Sequence, residues 1–195
     1  KSVNYTNVGT VEFLVDLEGR AFYFIEMNTR LQVEHPVTEM VTDIDIVKEQ
    51  IRLAAGQELS VTQKDITIFG HAIEARINAE DPQTFMPSPG TVTHLFMPNG
   101  CGVRFDSHLY PNYAIPTFYD SLIVKLICHG QTREQTLAKL RHALDELIIT
   151  NIKTNVPLHR DVILQDADFC RQAQNIHYLE SQLLTNAPKP KPENV

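Results

Sequence analysis

Residues 22–36 read FYFIEMNTRLQVEHP, and the alternation in this run decides how the chain is organised. Its first half alternates as a β-strand does. Tyr23, Ile25 and Met27 fall on one face, and Phe22, Phe24, Glu26 and Asn28 on the other. From residue 26 every even position is polar: Glu26, Asn28, Arg30, Gln32 and Glu34. A polar set at period two can project from one side of an extended segment. The plain alternative is an edge strand with a solvated face, a common pattern in half-buried sheets.

The preceding run favours a site. Residues 10–16 (TVEFLVD) also alternate, with Val11, Phe13 and Val15 on one side and Glu12 and Leu14 on the other. Residues 17–21 (LEGRA) make a glycine-containing loop of hairpin length. With the turn centred near Gly19, Glu12 sits opposite Glu26 in an antiparallel pair. Opposed side chains there lie about 4.5–5.5 Å apart at Cβ, where like charges are destabilising. Two facing carboxylates need a shared proton or a cation. With the Asn28 amide they form an all-oxygen set suited to Mg²⁺ or Mn²⁺. Magnesium commonly binds through one or two carboxylates plus nucleotide phosphates, so the hairpin suggests a metal–phosphate site. A one-residue slip in register would break it.

Arg30 adds a planar cation suited to a carboxylate-like or phosphate-like anion. Glu34 is a carboxylate close to it, where a general base for an anionic substrate could sit. A fully extended run from Glu26 to Glu34 would span about 26 Å. For both ends to serve one substrate the chain must curl after Arg30, before His35 and Pro36 end the run.

These residues carry a resemblance. EFL at residues 12–14 and FIEMNTRLQVEHP at 24–36 closely resemble the biotin carboxylase family of the ATP-grasp superfamily. So do GHAIEARINAEDP at 70–82, PSPG at 87–90, YDSLIVKLI at 119–127 and IKTN at 152–155. The resemblance runs to about residue 184 and implies a two-step reaction. ATP phosphorylates bicarbonate to carboxyphosphate, and CO₂ then passes to a ring nitrogen of biotin. By position, Glu12, Glu26 and Asn28 resemble the metal set (Mg or Mn with ATP), and Glu12, Glu26 and Leu14 the ATP contacts, Leu14 packing on adenine. Arg30, Gln32 and the Val33 amide resemble the bicarbonate cradle. Glu34 resembles the base for bicarbonate, and Arg76 the cation for the biotin enolate. Arg104 and Asp120 resemble dimer-interface residues; otherwise they read as an ordinary surface ion pair.

The 195 residues, 43% hydrophobic and 21% charged, suit a soluble globular protein of one large or two small domains. A formal charge of −7 argues against nonspecific nucleic-acid or anionic-membrane binding. No apolar run approaches the roughly 20 residues of a membrane span. Cys101, Cys128 and Cys170 are few and scattered, as in a reducing, cytoplasmic compartment. Zinc at Cys128 and His129 lacks partners at usable spacing. His35 could assist Glu34, although an orienting or packing role suits it better.

Further along, residues 36–40 start a short helix, and 43–55 form a better one with an apolar stripe of Ile44, Val47, Ile51, Leu53 and Ala54 that ends at Gly56. Residues 57–68 form a polar connector. Residues 69–78 alternate as a strand that carries Arg76, whose plain alternative is a salt bridge to Glu74 or Glu80. Strands are expected over 91–96, 102–106 and 122–128, with Lys125 snorkelling from the last. Thr132 caps an amphipathic helix to about Leu147, and helices near 156–164 and 177–184 close the fold.

The fold class is therefore α+β. Residues 1–68 form the carboxyl-terminal part of an ATP-grasp domain, 69–184 a biotin carboxylase C-terminal domain of antiparallel sheet with helices, and 185–195 a flexible tail. The resemblance implies ATP, bicarbonate, a biotin carboxyl carrier protein and carboxyltransferase subunits as partners, and a homodimer. It also implies the first half-reaction of acetyl-CoA carboxylase in fatty acid synthesis. The family's Gly-rich phosphate lid has no counterpart among the dispersed glycines, so the chain is expected to begin partway through the ATP-grasp domain and to be nearly inactive alone. Alternatives are the same module from a pyruvate or propionyl-CoA type carboxylase, and a non-catalytic dimerisation or binding module.

Overall fold

The computed structural model describes residues 4–16, 18–171 and 177–180. Strands β1 (Thr10–Val15) and β2 (Phe22–Asn28) form an antiparallel hairpin with Glu12 opposite Glu26, as the alternation requires. Its loop closes through Asp16 N to Ala21 O and Gly19 N to Asp16 O, both 3.0 Å. Gly19 takes φ +67°, which only glycine adopts cheaply.

One expectation fails within this hairpin. The register shifts after the Glu pair, so Phe13 faces Phe24 and Ile25 is the extra residue of a β-bulge. The bulge moves Phe22 and Phe24 to the face opposite Glu26, together with Phe13 and Val15. There the Phe13 ring meets Phe22 and Phe24 edge-on, with centroids 5.4 and 6.2 Å apart. The polar period also stops early, because β2 ends at Asn28 and residues 29–34 curl.

Helix α1 (His35–Thr42) starts where Pro36 presets helical φ and stops at Asp43, whose φ is +58°. Helix α2 (Ile46–Ala54) begins three residues later than expected, because the Asp45 side chain caps Lys48 N. Glu39 of α1 accepts from Ile46 N at 2.8 Å and joins the two helices. The apolar stripe of α2 is not buried: Val47 and Ile51 are exposed, and Glu49 is the buried side chain, held by Ser60 N and Oγ. The connector contains a 3₁₀ turn at Gln63–Asp65 closed by Thr62 and Asp65.

The second half is built on β3 (His71–Asn78), β4 (Leu95–Phe96), β5 (Val103–Ser107) and β6 (Leu122–Gly130). The helix α3 (Arg133–Glu146), β7 (Ile148–Ile149) and α4 (Ala167–Cys170) follow. An antiparallel sheet of order β3-β6-β5 has two unlike faces. The back face (Ala75, Ile77, Val124, Leu126, Cys128) packs on Leu137, Leu140 and Leu144 of α3 to make the core. The front face carries Glu74, Arg76, Lys125, Arg104 and Asp106, as the register requires, and α1 lies against β3 and β6 there.

Other expectations shift. Only Leu95 and Phe96 of residues 91–96 pair as a strand, with Ile149 and Ile148, and Thr91 makes one bridge to Ala114. The helix expected at 156–164 is a π turn, Leu158–Val162, followed by a 3₁₀ turn, Ile163–Gln165. Of the helix expected over 177–184, residues 178–180 are helical, while 181–184 and the tail at 185–195 lie outside the described residues. No helix among the described residues is long and apolar enough to cross a membrane.

Candidate functional site

The hairpin supplies the first group. Asn28 Nδ2 donates to Glu12 Oε1 at 2.7 Å and to Glu26 Oε1 at 3.0 Å, so both carboxylates converge on one amide. Gln32 Nε2 reaches back to Glu12 Oε1 at 3.4 Å, which confirms that the chain curls after Arg30. Turning the Asn28 amide by half a rotation would replace its NH₂ with an oxygen at the same point. That donor set, two carboxylates and an amide oxygen, fits a hard divalent cation that keeps waters or phosphates in its other positions. Among the described residues no group of three or more His, Cys, Asp or Glu could hold a metal, so two carboxylates are the charge available. Leu14 lies one strand step away, half exposed and opposite Tyr23.

The curl supplies the second group. Among the described residues Arg30 makes only long contacts within its own turn, 3.3 Å to Leu31 O and to Gln32 Oε1, so its guanidinium is largely open to an anion there. The Val33 carbonyl is held by Lys125 Nζ of β6 at 3.1 Å, and that ammonium stands 3.6 Å from Asp106 Oδ2. Lys125 is thus an anchor for the curl, not a snorkelling side chain. His35 turns its ring to Gln32 O (Nδ1, 2.8 Å) and towards Glu39 (4.0 Å), so it orients the turn and does not contact Glu34.

The third group joins distant parts of the chain. Glu34 Oε2 accepts from Arg76 Nη2 at 2.7 Å, with both side chains about half exposed. The plain alternative for that cation is a salt bridge to Glu74 or Glu80. Glu74 Oε1 is 3.8 Å from Arg76 Nε, while Glu80 bonds Asn78 and Ser121. Arg76 and Lys125 are direct cross-strand neighbours, a repulsive pair offset by Glu34, Glu74 and Asp106. The backbone of Arg76 is also clamped. Asn155 Nδ2 and His159 Nε2 both bond its carbonyl at 3.0 Å, and Asn155 Oδ1 accepts from Asn78 N at 2.8 Å. Burial pushes the His159 imidazole below its usual pKa, in keeping with a neutral ring that donates from Nε2.

A cleft of about 720 Å³ opens beside Arg76 and is lined by Val33, Tyr113, Tyr119 and Asp120 among others. Asp120 accepts from Leu122 N at 2.8 Å. Arg104 bonds Asp106 and Glu39, the latter at 2.6 Å, so the surface ion pair between Arg104 and Asp120 is not formed. The bond to Asp106 raises the guanidinium above its usual pKa. Sequence reasoning missed Glu39, Asn155 and His159, and named Glu74 only as a salt-bridge partner of Arg76. The IKTN motif contains Asn155 and the GHAIEARINAEDP motif contains Glu74, and these were the signals the sequence offered.

Residues 74–181 match the model of the biotin carboxylase C-terminal domain, and residues 1–62 that of the carbamoyl-phosphate synthase L chain ATP-binding domain. The chain is similar to the biotin carboxylase of Pseudomonas aeruginosa, 59% identical over 93% of this chain, and to that of Haemophilus influenzae, 57% identical over 94%. It spans 40% of the length of each of these relatives. Among solved structures it resembles the biotin carboxylase domain dimer of Hydrogenobacter thermophilus 2-oxoglutarate carboxylase, in complex with MgADP, ADP and bicarbonate. The TM-score there is 0.89 at 46% identity, covering 92% of this chain and 40% of that one. With an α+β fold shared with these structures and more than half its residues matched by one family model, the chain belongs to the biotin carboxylase C-terminal domain family.

Proposed function

We propose that this chain supplies the metal, bicarbonate and biotin side of an ATP-dependent biotin carboxylase. Residues 1–68 act as the carboxyl-terminal part of an ATP-grasp domain and 69–184 as the biotin carboxylase C-terminal domain. One observation carries the reading: Glu34 and Arg76, 42 residues apart and from these two parts, meet at 2.7 Å beside an open cleft. A carboxylate and a guanidinium so placed can take a proton from one substrate and hold an anionic oxygen on another.

Glu12, Glu26 and Asn28 would hold Mg²⁺ or Mn²⁺ with ATP, and Leu14 would pack on the adenine. The metal, when bound, offsets phosphate charge. Arg30, Gln32 and the Val33 N–H hold bicarbonate, with the curl fixed by Lys125. Glu34 accepts the bicarbonate proton, because the anion is a poor nucleophile towards the γ-phosphate until that proton is removed. Carboxyphosphate then splits into CO₂ and phosphate, the phosphate takes the ring N–H proton of biotin, and Arg76 steadies the resulting enolate, whose nitrogen captures the CO₂. Biotin arrives on a carrier protein, and carboxyltransferase subunits take the product on. The compartment is the cytoplasm. The acceptor is left between acetyl-CoA and a 2-oxo acid, since the similar Hydrogenobacter protein is a 2-oxoglutarate carboxylase. A homodimer through the Arg104 region is part of this reading, supported by exposed Val47 and Ile51 lining a surface with Arg104.

The test uses the Pseudomonas relative with its matched segment replaced by this sequence. Glu34→Gln is expected to abolish bicarbonate-dependent ATP cleavage while nucleotide binding persists. Arg76→Ala is expected to cut biotin carboxylation on the order of 10²-fold with ATP binding unchanged. Retained turnover in the first variant, or equal losses in the second, would contradict these roles.

A further inference from the structure

Glu34 and Arg76 cannot perform both proposed tasks while they grip one another. The Arg76 Nη2 that should meet a substrate oxygen is bound to Glu34 Oε2, the carboxylate that should take a proton. Something must keep the guanidinium in place when that pair opens.

Glu74 stands where such a group is needed. It lies on the front face of β3, two residues before Arg76, with a side chain only 4% exposed and Oε1 3.8 Å from Arg76 Nε. Both its carboxylate oxygens are buried without a hydrogen-bond partner among the described residues. A desolvated carboxylate with no bonded partner is costly, and β3 has apolar side chains at neighbouring positions. The guanidinium therefore spans two acids, an exposed one at Nη2 and a buried one at Nε.

We propose that Glu74 is a positioning residue for Arg76: when substrate draws Nη2 away from Glu34, Glu74 takes the Nε end and turns the guanidinium into the cleft. The inference rests on the reading of Glu34 and Arg76 given above. Closing Nε onto Oε1 needs a movement of about 1 Å to reach a charge-assisted hydrogen bond. The charged groups around Glu74 are Arg76 on its own strand, Lys125 on β6, Asp106 on β5 and Glu34 before α1. On α1, Glu39 is engaged by Arg104, and the His35 ring by Gln32 O. Burial pushes the Glu74 carboxyl above the usual carboxylate range, while Lys125 and Arg76 oppose the rise. An approaching Nε–H thus favours the charged form and is itself held by it.

The test is made on this chain by NMR of the arginine Nε–Hε groups, independent of any turnover. Replacing Glu34 by Gln removes the competing acid, so the Arg76 Nε–Hε signal is expected to move downfield and exchange more slowly with water. Adding Glu74→Gln should abolish that change. A Glu34→Gln signal that exchanges like an exposed arginine, or slow exchange that survives in the double variant, would overturn the proposal. Should Glu74→Gln lose the fold, Glu74→Asp serves, because its shorter side chain draws the carboxylate away and should weaken the slow exchange. The kinetic counterpart uses the Pseudomonas chimera. There Glu74→Gln should lower kcat for biotin carboxylation on the order of 10²-fold, leaving KM for bicarbonate and biotin-independent ATP cleavage in place. Equal loss of both activities would mean Glu74 is merely structural. If the unmodified chimera shows no biotin-dependent turnover, the functional reading fails while the NMR result still decides Glu74.

Discussion

Glu74 shows how a single buried acid sets a pH dependence. Its carboxyl is raised by burial, so the folded state holds its proton more tightly than the unfolded chain does. Its contribution to stability is therefore fully present below the unfolded carboxylate pKa, about 4.3, and is lost as pH rises through the folded value. Glu74→Gln should raise Tm at neutral pH, with the gain shrinking as pH falls towards about 4. A gain that is constant with pH would mean the residue does not ionise in this window. At this scale the sequence was legible where polar residues alternate with apolar ones. Glu12, Glu26 and Asn28 meet as the period implied. Glu74 was not legible, because the same alternation cannot tell a solvated carboxylate from one sealed beneath a helix.

Among the elements, β3 needs a partner on its open edge, since it is the outer strand of the β3-β6-β5 sheet. Asn155 fills that role with one side chain, bonding Arg76 O and Asn78 N as a neighbouring strand would. Asn155→Ala should cost about 1–3 kcal/mol in urea unfolding, since the Asn78 N–H would lose its partner. A loss below about 0.5 kcal/mol would mean that water or His159 replaces the bond. The long elements were legible from periodicity: β6, and α3 with its Thr132 cap and buried Leu137, Leu140 and Leu144. The bulge at Ile25 was not, because an extra residue leaves the sequence alternation unbroken and changes only its pairing. Nor was the exposure of the α2 stripe, since an amphipathic helix declares an apolar face without declaring what covers it.

The whole molecule brings together groups that lie far apart in sequence. The hairpin gathers Glu12, Glu26 and Asn28, the curl that carries Arg30 is pinned by Lys125, and the sheet brings Arg76 to Glu34. The pairing of Glu34 with Arg76 was beyond the alternation of either strand, because it depends on how α1 lies across the sheet. The family motifs pointed to both residues, and the contact between them came only from the structure. The most direct measurement is transfer of labelled bicarbonate to free biotin, with MgATP, by the Pseudomonas relative carrying this sequence in its matched segment. Carboxybiotin formation coupled to ADP release, lost in Glu34→Gln, is the expected result. A folded, ATP-binding chimera that forms no carboxybiotin would contradict the assignment of the bicarbonate and biotin sites to this chain.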